Sequence, residues 1–134
     1  MAYPPTPFSV TATLNVPPAA SLPACQVPFG LSSQFQNKSE QELVIPGSVT
    51  YSINFGEMAG ANYQYLHIEQ LSDPGGVAQD VAIRINAAVT PLLLPAGGFM
   101  ILAPGPGLLG TGKPTPTVDV VTTAVAKIRV RAYG

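Results

Sequence analysis

The stretch VAIRINAAVTPLLLPAGGFMILA, residues 81–103, decides how this chain folds. It opens with strict alternation, Val81, Ile83 and Ile85 against Ala82, Arg84 and Asn86. A period of two marks a strand with one buried face. A second strand is expected over residues 89–94 and a third over 99–103, joined by a Pro95-Ala96-Gly97-Gly98 turn. These two do not alternate. Leu92-Leu93-Leu94 and Phe99-Met100-Ile101-Leu102 are apolar on both faces, which calls for cover on both sides. A small domain has one core to offer, so the surplus face points to assembly rather than to chemistry. The uncharged run that contains it is not a membrane span. Pro91, Pro95, Pro104 and Pro106 break the helix of about 20 residues that a span needs.

Upstream, residues 1–30 carry no charged side chain and hold seven prolines. Inside them Phe8, Val10, Ala12, Leu14 and Val16 alternate with Ser9, Thr11, Thr13 and Asn15, which predicts a strand over 8–16. The flanking prolines favour extended backbone. Residues 1–7 therefore read as an extended Pro-rich N-terminal arm, either a disordered tail or a segment ordered by lying across a neighbouring subunit. Residues 8–134 read as one domain. Ser39 and Glu42 have capping-box spacing, but Ile45-Pro46-Gly47 stops a helix within a turn, so a strand or loop is expected over 31–42. Further strands are expected over 49–55, 63–70, 117–121 and 124–132. A Ser72-Asp73-Pro74-Gly75-Gly76 turn and a Gly/Pro loop over 104–116 connect them. Eight or so short strands without a helix predict an all-β fold, a single β-sandwich or jelly-roll-like domain.

Composition narrows the function. At 134 residues one domain is expected, and charged residues make up only 10% of it, against about 25% in an ordinary chain. A net charge of −1 offers no basic patch for nucleic acid. The single cysteine, Cys25, rules out an internal disulfide and a multi-cysteine metal site. The start, MAYPPTPF, has no signal-peptide pattern, so no targeting segment is expected.

Two phosphate-binding patterns overlap in the Gly/Pro loop, and neither holds. Gly105-Pro106-Gly107-Leu108-Leu109-Gly110 spells GxGxxG, and residues 107–113, GLLGTGK, match most of a P-loop. The residue after Lys113 is Pro114, which supplies neither an N–H for phosphate nor a hydroxyl for Mg²⁺. A nucleophile would need His67, the only histidine, as its base, and no GxSxG elbow accompanies it. Asp73 and Asp80 lack EF-hand spacing. No catalytic residue, metal site or cofactor is expected. The acids are scattered and there is no tryptophan, but Tyr63 and Tyr65, two apart on a strand, would share a face on which a sugar could stack. Lys127, Arg129 and Arg131 form a row on the last strand. Such a row repels itself unless acids sit opposite, either from this chain at a solvated edge or from a neighbouring subunit.

The run from Pro91 to Leu102, the Gly-rich loop, the Thr-rich strand over 118–123 and the final strand ending at Tyr133-Gly134 resemble small structural proteins of tailed-bacteriophage virions. Capsid decoration (cement) proteins and small tail or neck components are among them. The resemblance covers roughly residues 43–134 and rests on strand order and composition. It implies a β-sandwich that forms a homo-oligomer, often a trimer, and binds the lattice of the major capsid protein on the capsid exterior, after assembly in the host cytoplasm. It carries over no catalytic residue. The expected function is therefore non-enzymatic, a decoration protein that stabilises the head shell, with a tail or neck component or a carbohydrate-binding module as alternatives. No nucleic acid or membrane partner is expected. The candidate subunit interface comprises Phe8 from the N-terminal strand, Leu92, Leu94, Phe99 and Ile101 from the two-sided strands, and Lys127, Arg129 and Arg131.

Overall fold

The computed structural model describes residues 4–18, 23, 25–56, 63–71, 79–102 and 116–134. Ten strands lie in them: β1 Thr6–Val16, β2 Cys25–Phe35, β3 Lys38–Ile45, β4 Thr50–Ser52 and β5 Tyr65–Leu71, followed by β6 Val81–Ile85, β7 Leu92–Leu94, β8 Phe99–Leu102, β9 Val118–Val121 and β10 Ala126–Tyr133. Among the described residues no helix is long and apolar enough to cross a membrane. The expected turn over 72–76 and most of the loop over 104–116, with its phosphate-like patterns, lie outside the described residues.

Strands β3 to β10 form two four-stranded antiparallel sheets, ordered β3-β10-β5-β8 and β4-β9-β6-β7. Most connections carry the chain from one sheet to the other, and the last strand returns beside the first. That order of eight strands is a jelly roll, the finer of the two forms the sequence allows.

Period-two patterning explains why these segments pair as they do. In β10, Ala126, Ile128, Val130 and Ala132 are buried while Lys127, Arg129, Arg131 and Tyr133 are half-buried outside. In β6, Val81, Ile83 and Ile85 are buried as expected, and in β5 Leu66 and Ile68 face the same core. Fully burying such side chains contributes about 1.5–3 kcal/mol each. The capping-box segment around Ser39 is strand, not helix, because pairing with β10 along its whole length outweighs a single local turn.

Turns close the sandwich. Gly97, at φ 75°, supplies the left-handed corner of the Pro95–Gly98 turn, where the Gly98 N–H donates to Pro95 O at 2.8 Å. After β6, Asn86 and Ala87 both take positive φ (53° and 56°), and the Asn86 Oδ1 accepts from the Thr117 N–H at 3.0 Å.

β1 and β2 stand apart. Among the described residues they pair only with each other, over eleven residues from Thr6 opposite Phe35 to Val16 opposite Cys25. The sequence predicts β1 but not β2, since Pro28 and Gly30 interrupt its pattern. In a two-stranded ribbon both strands are edges, where proline is tolerated. The ribbon's exit is pinned to the end of the chain. Gly134 O accepts from the N–H groups of Gln36 (2.8 Å) and Asn37 (2.7 Å), and the Gly134 N–H donates to Asn37 O (2.9 Å).

Candidate functional site

The outer face of the β3-β10-β5-β8 sheet is where the functional candidates gather. Its register sets Glu42, Arg129 and Glu69 in one row across three strands, with Glu40, Arg131 and His67 in the next. Glu42 Oε1 accepts from Arg129 at 2.7 Å and Oε2 lies 3.3 Å from Lys127, while Arg129 lies 3.6 Å from Glu69. Arg129 and Lys127 hold the Glu42 carboxyl below its ordinary range, and the Glu42 hydrogen bond raises Arg129. The acids opposite Lys127 and Arg129 therefore come from this chain, so neither needs a neighbour's carboxylate. These partly exposed pairs contribute little stability. Arg131 has no ion pair among the described residues.

Next to the charged rows runs an aromatic one. Phe8, from the base of the ribbon, stacks on Tyr133 at 5.5 Å and meets Phe35 and Tyr65 edge-on. The series continues from Tyr65 to His67 (6.2 Å) and from His67 to Phe99 (6.1 Å) on the edge strand. Phe8, Phe35, Tyr65, Tyr133 and Arg131 line a groove of about 560 Å³ between ribbon and sheet. Burial, together with the hydrogen bond that the Tyr133 hydroxyl donates to Glu40, pushes that phenol up to about 12. His67 sits below its ordinary value, chiefly because it is half-buried, with Glu69 opposing and Arg131 and Arg129 adding to the shift. Its Nδ1 is buried without a hydrogen-bond partner.

The two strands that lack alternation are the edge strands β7 and β8. Leu94, expected at the interface, is instead 5% exposed and belongs to the core, because it pairs with Val81 and shares that residue's inward face. The others remain open. Phe99 is 64% exposed, Leu93 62%, Leu92 53% and Ile101 40%. Along this edge lies a mostly apolar cleft of about 480 Å³, from Leu92 through the Pro95–Gly98 turn to Met100.

The sugar-stacking pair does not form. Tyr63 precedes β5 and is 2% exposed, packed edge-on against Phe55 at 5.4 Å. Its hydroxyl has no partner, and burial pushes it up to about 12. Tyr65 is buried beneath Phe8. No group of three or more His, Cys, Asp or Glu side chains gathers among the described residues to hold a metal ion.

The ribbon is the feature that sequence reasoning missed. Its register sets Val10, Ala12, Leu14 and Val16 opposite Leu31, Phe29, Val27 and Cys25, while Ser9, Thr11, Thr13 and Asn15 stand opposite Ser32, Gly30, Pro28 and Gln26. Directly opposed residues share a face, so one face carries apolar positions and the other polar ones, proline and glycine. The signal was present as alternation within 25–35, masked by Pro28 and Gly30. Phe8 and Val10 are half-buried, and Ala12, next along the same face, is exposed.

The class these features define is an eight-stranded jelly roll preceded by a separate, uncharged two-stranded ribbon. The chain matches no family model, no curated protein and no solved structure.

Proposed function

We propose that the protein is a non-enzymatic structural component of a virion, a capsid decoration protein that oligomerises on the head shell and stabilises it. The observation that carries this reading is the ribbon. It is eleven residue pairs long, has no charged side chain, and its register sets apolar positions along one face, on which Ala12 is exposed. A two-stranded ribbon is at best marginal in water, and an exposed apolar strip marks a contact surface. The ion-paired outer face of β10 and the apolar edge of β7 and β8 belong to a module that meets protein partners. Burial of apolar area at about 25 cal/mol/Å², less the cost of ordering, supplies the affinity of each copy. Repetition over a symmetric shell adds avidity.

The test is attachment. Purified protein is incubated with head shells assembled from the major capsid protein encoded in the same genome, and co-sedimentation and resistance of the shells to heat are measured. Saturable binding with a raised disruption temperature is the expected result. Absence of binding at micromolar concentrations overturns the reading.

A further inference from the structure

We propose that the groove between the ribbon's base and the β3-β10-β5-β8 sheet is a binding site for a small acid, one that carries a carboxylate on an aromatic or aliphatic body. This site goes beyond the decoration reading and does not depend on it. At about 560 Å³ the groove falls within the range of about 300–1,000 Å³ that small-ligand sites occupy. Its lining has their make-up too, aromatic walls with a few charged groups. Phe8 and Phe35 come from the ribbon, Tyr65 and Tyr133 from the sheet. The rings brace one another. Tyr133 lies 5.5 Å from Phe8, 5.2 Å from Phe35 and 5.7 Å from Tyr65, centroid to centroid. Rings held in this way are ordered before a ligand arrives, which lowers the cost of binding.

The charge on the ligand follows from Arg131. Of the basic side chains on the outer face of β10, Lys127 and Arg129 meet Glu42 and Glu69. Arg131 lines the groove and has no ion pair among the described residues. Its neighbours in register are Glu40 and His67. Glu40 accepts from the Tyr133 hydroxyl instead of pairing with Arg131, and a histidine supplies no negative charge. A half-buried guanidinium without an acid is a ready partner for a carboxylate, whose two oxygens fit its fork. Lys38 and Arg131 against Glu40 leave the lining with one net positive charge. A carboxylate matches it. A phosphate monoester, at about −2 near neutral pH, brings one charge too many. The guanidinium then fixes the acid's orientation, and the rings take its apolar body.

The test is titration of the full-length chain with N-acetylphenylalanine, followed by calorimetry and by NMR shifts of the groove tyrosines. Two further probes divide the ligand. N-acetylphenylalaninamide keeps the body and drops the charge, and acetate keeps the charge and drops the body. The acid is expected to bind in the millimolar range or tighter, shifting Tyr65 and Tyr133, and the other two about tenfold to hundredfold more weakly. Arg131→Gln is expected to bring the acid down to the amide's level and to leave the amide where it was, a cycle that isolates the guanidinium–carboxylate contact. Arg84→Gln removes an exposed positive charge from the other sheet and is expected to change nothing, which separates this contact from a general effect of charge. Thermal melting checks that both variants are folded. An acid that fails to bind at about 10 mM, acid and amide of equal affinity, or an acid affinity unchanged by Arg131→Gln overturns the site.

Discussion

The sandwich and the ribbon are built from the same alternating β-pattern but stabilised in opposite ways. In the two four-stranded sheets the inward-facing rows share one core, with Ile68 and Val130 of one sheet and Ile83 and Val120 of the other in the same cluster, all fully buried. In residues 6–35 the two strands pair with no other described strand, and they meet the sheet through Phe8 and Phe35, both packed on Tyr133. Alternation therefore specifies a face, and only the neighbouring layer decides whether that face becomes a core or a docking strip. The sandwich is closed by its own chain.

The comparison is broken most forcefully in the core. Ile68→Ala removes a fully buried side chain from the strand between β10 and β8 and is expected to cost about 2–5 kcal/mol. Denaturant titration checks it, and a loss below about 1 kcal/mol would show that the sandwich relaxes around the cavity. Phe8→Ala is the matching change in the ribbon. Its two ring contacts to the sheet, with Tyr65 and Tyr133, at about 0.5–1.5 kcal/mol each, join Phe35 on Tyr133 in holding the ribbon. Amide hydrogen exchange is expected to rise throughout β1 and β2 while β5 and β10 keep their protection and the global midpoint stays in place. A common shift in both regions would make ribbon and sandwich one cooperative unit.

A smaller effect, of opposite sign, lies in a turn. Ala87 has φ 56° beside Asn86 at 53°. A residue with a Cβ in that region loses about 1–2 kcal/mol relative to its right-handed conformation, a penalty glycine avoids. Ala87→Gly is expected to stabilise the sandwich by about 1 kcal/mol and to leave ribbon protection unchanged. The thermal midpoint and ribbon hydrogen exchange together check it.

How much of this was readable before the structure follows from the same contrast. The strands β5, β6 and β10 could be read directly, because strict alternation maps onto one buried face with no help from other strands. The partners of Lys127 and Arg129 could not. Glu42 and Glu69 come from strands that flank β10 only because the order is β3-β10-β5, a fact of topology that no local pattern encodes. Tyr63 and Tyr65 misled for a related reason. Spacing of two places residues on a common face only inside a strand, and β5 starts at Tyr65. The apolar excess of β7 and β8 was visible, whereas the sheet-edge position that buries Leu94 and leaves Phe99 open was not.

The last prediction sits where the two regions meet. His67 lies between Tyr65, which Phe8 of the ribbon meets edge-on, and Phe99, exposed on the edge strand β8. The charged groups around it are Glu69 on its own strand and Arg131 and Arg129 on β10, while β8 places Ile101 opposite it and contributes no charge. Burial is the largest cause of its shift and lowers it below 6.5. A histidine held below its unfolded value contributes its stability above pH 6.5 and loses it as the pH falls through the lowered value. A second copy over Phe99 and Ile101 would bury the ring further and disfavour its protonated form still more. Association is therefore expected to weaken as the pH drops from about 7.5 to about 5.5, more steeply than the melting temperature of the Phe99→Glu chain. His67→Gln, which cannot take up the proton, is expected to flatten the association profile while Glu42 and its ion pairs still titrate at lower pH. An unchanged profile in that variant would place the acid sensitivity in the carboxylates and remove His67 from the contact.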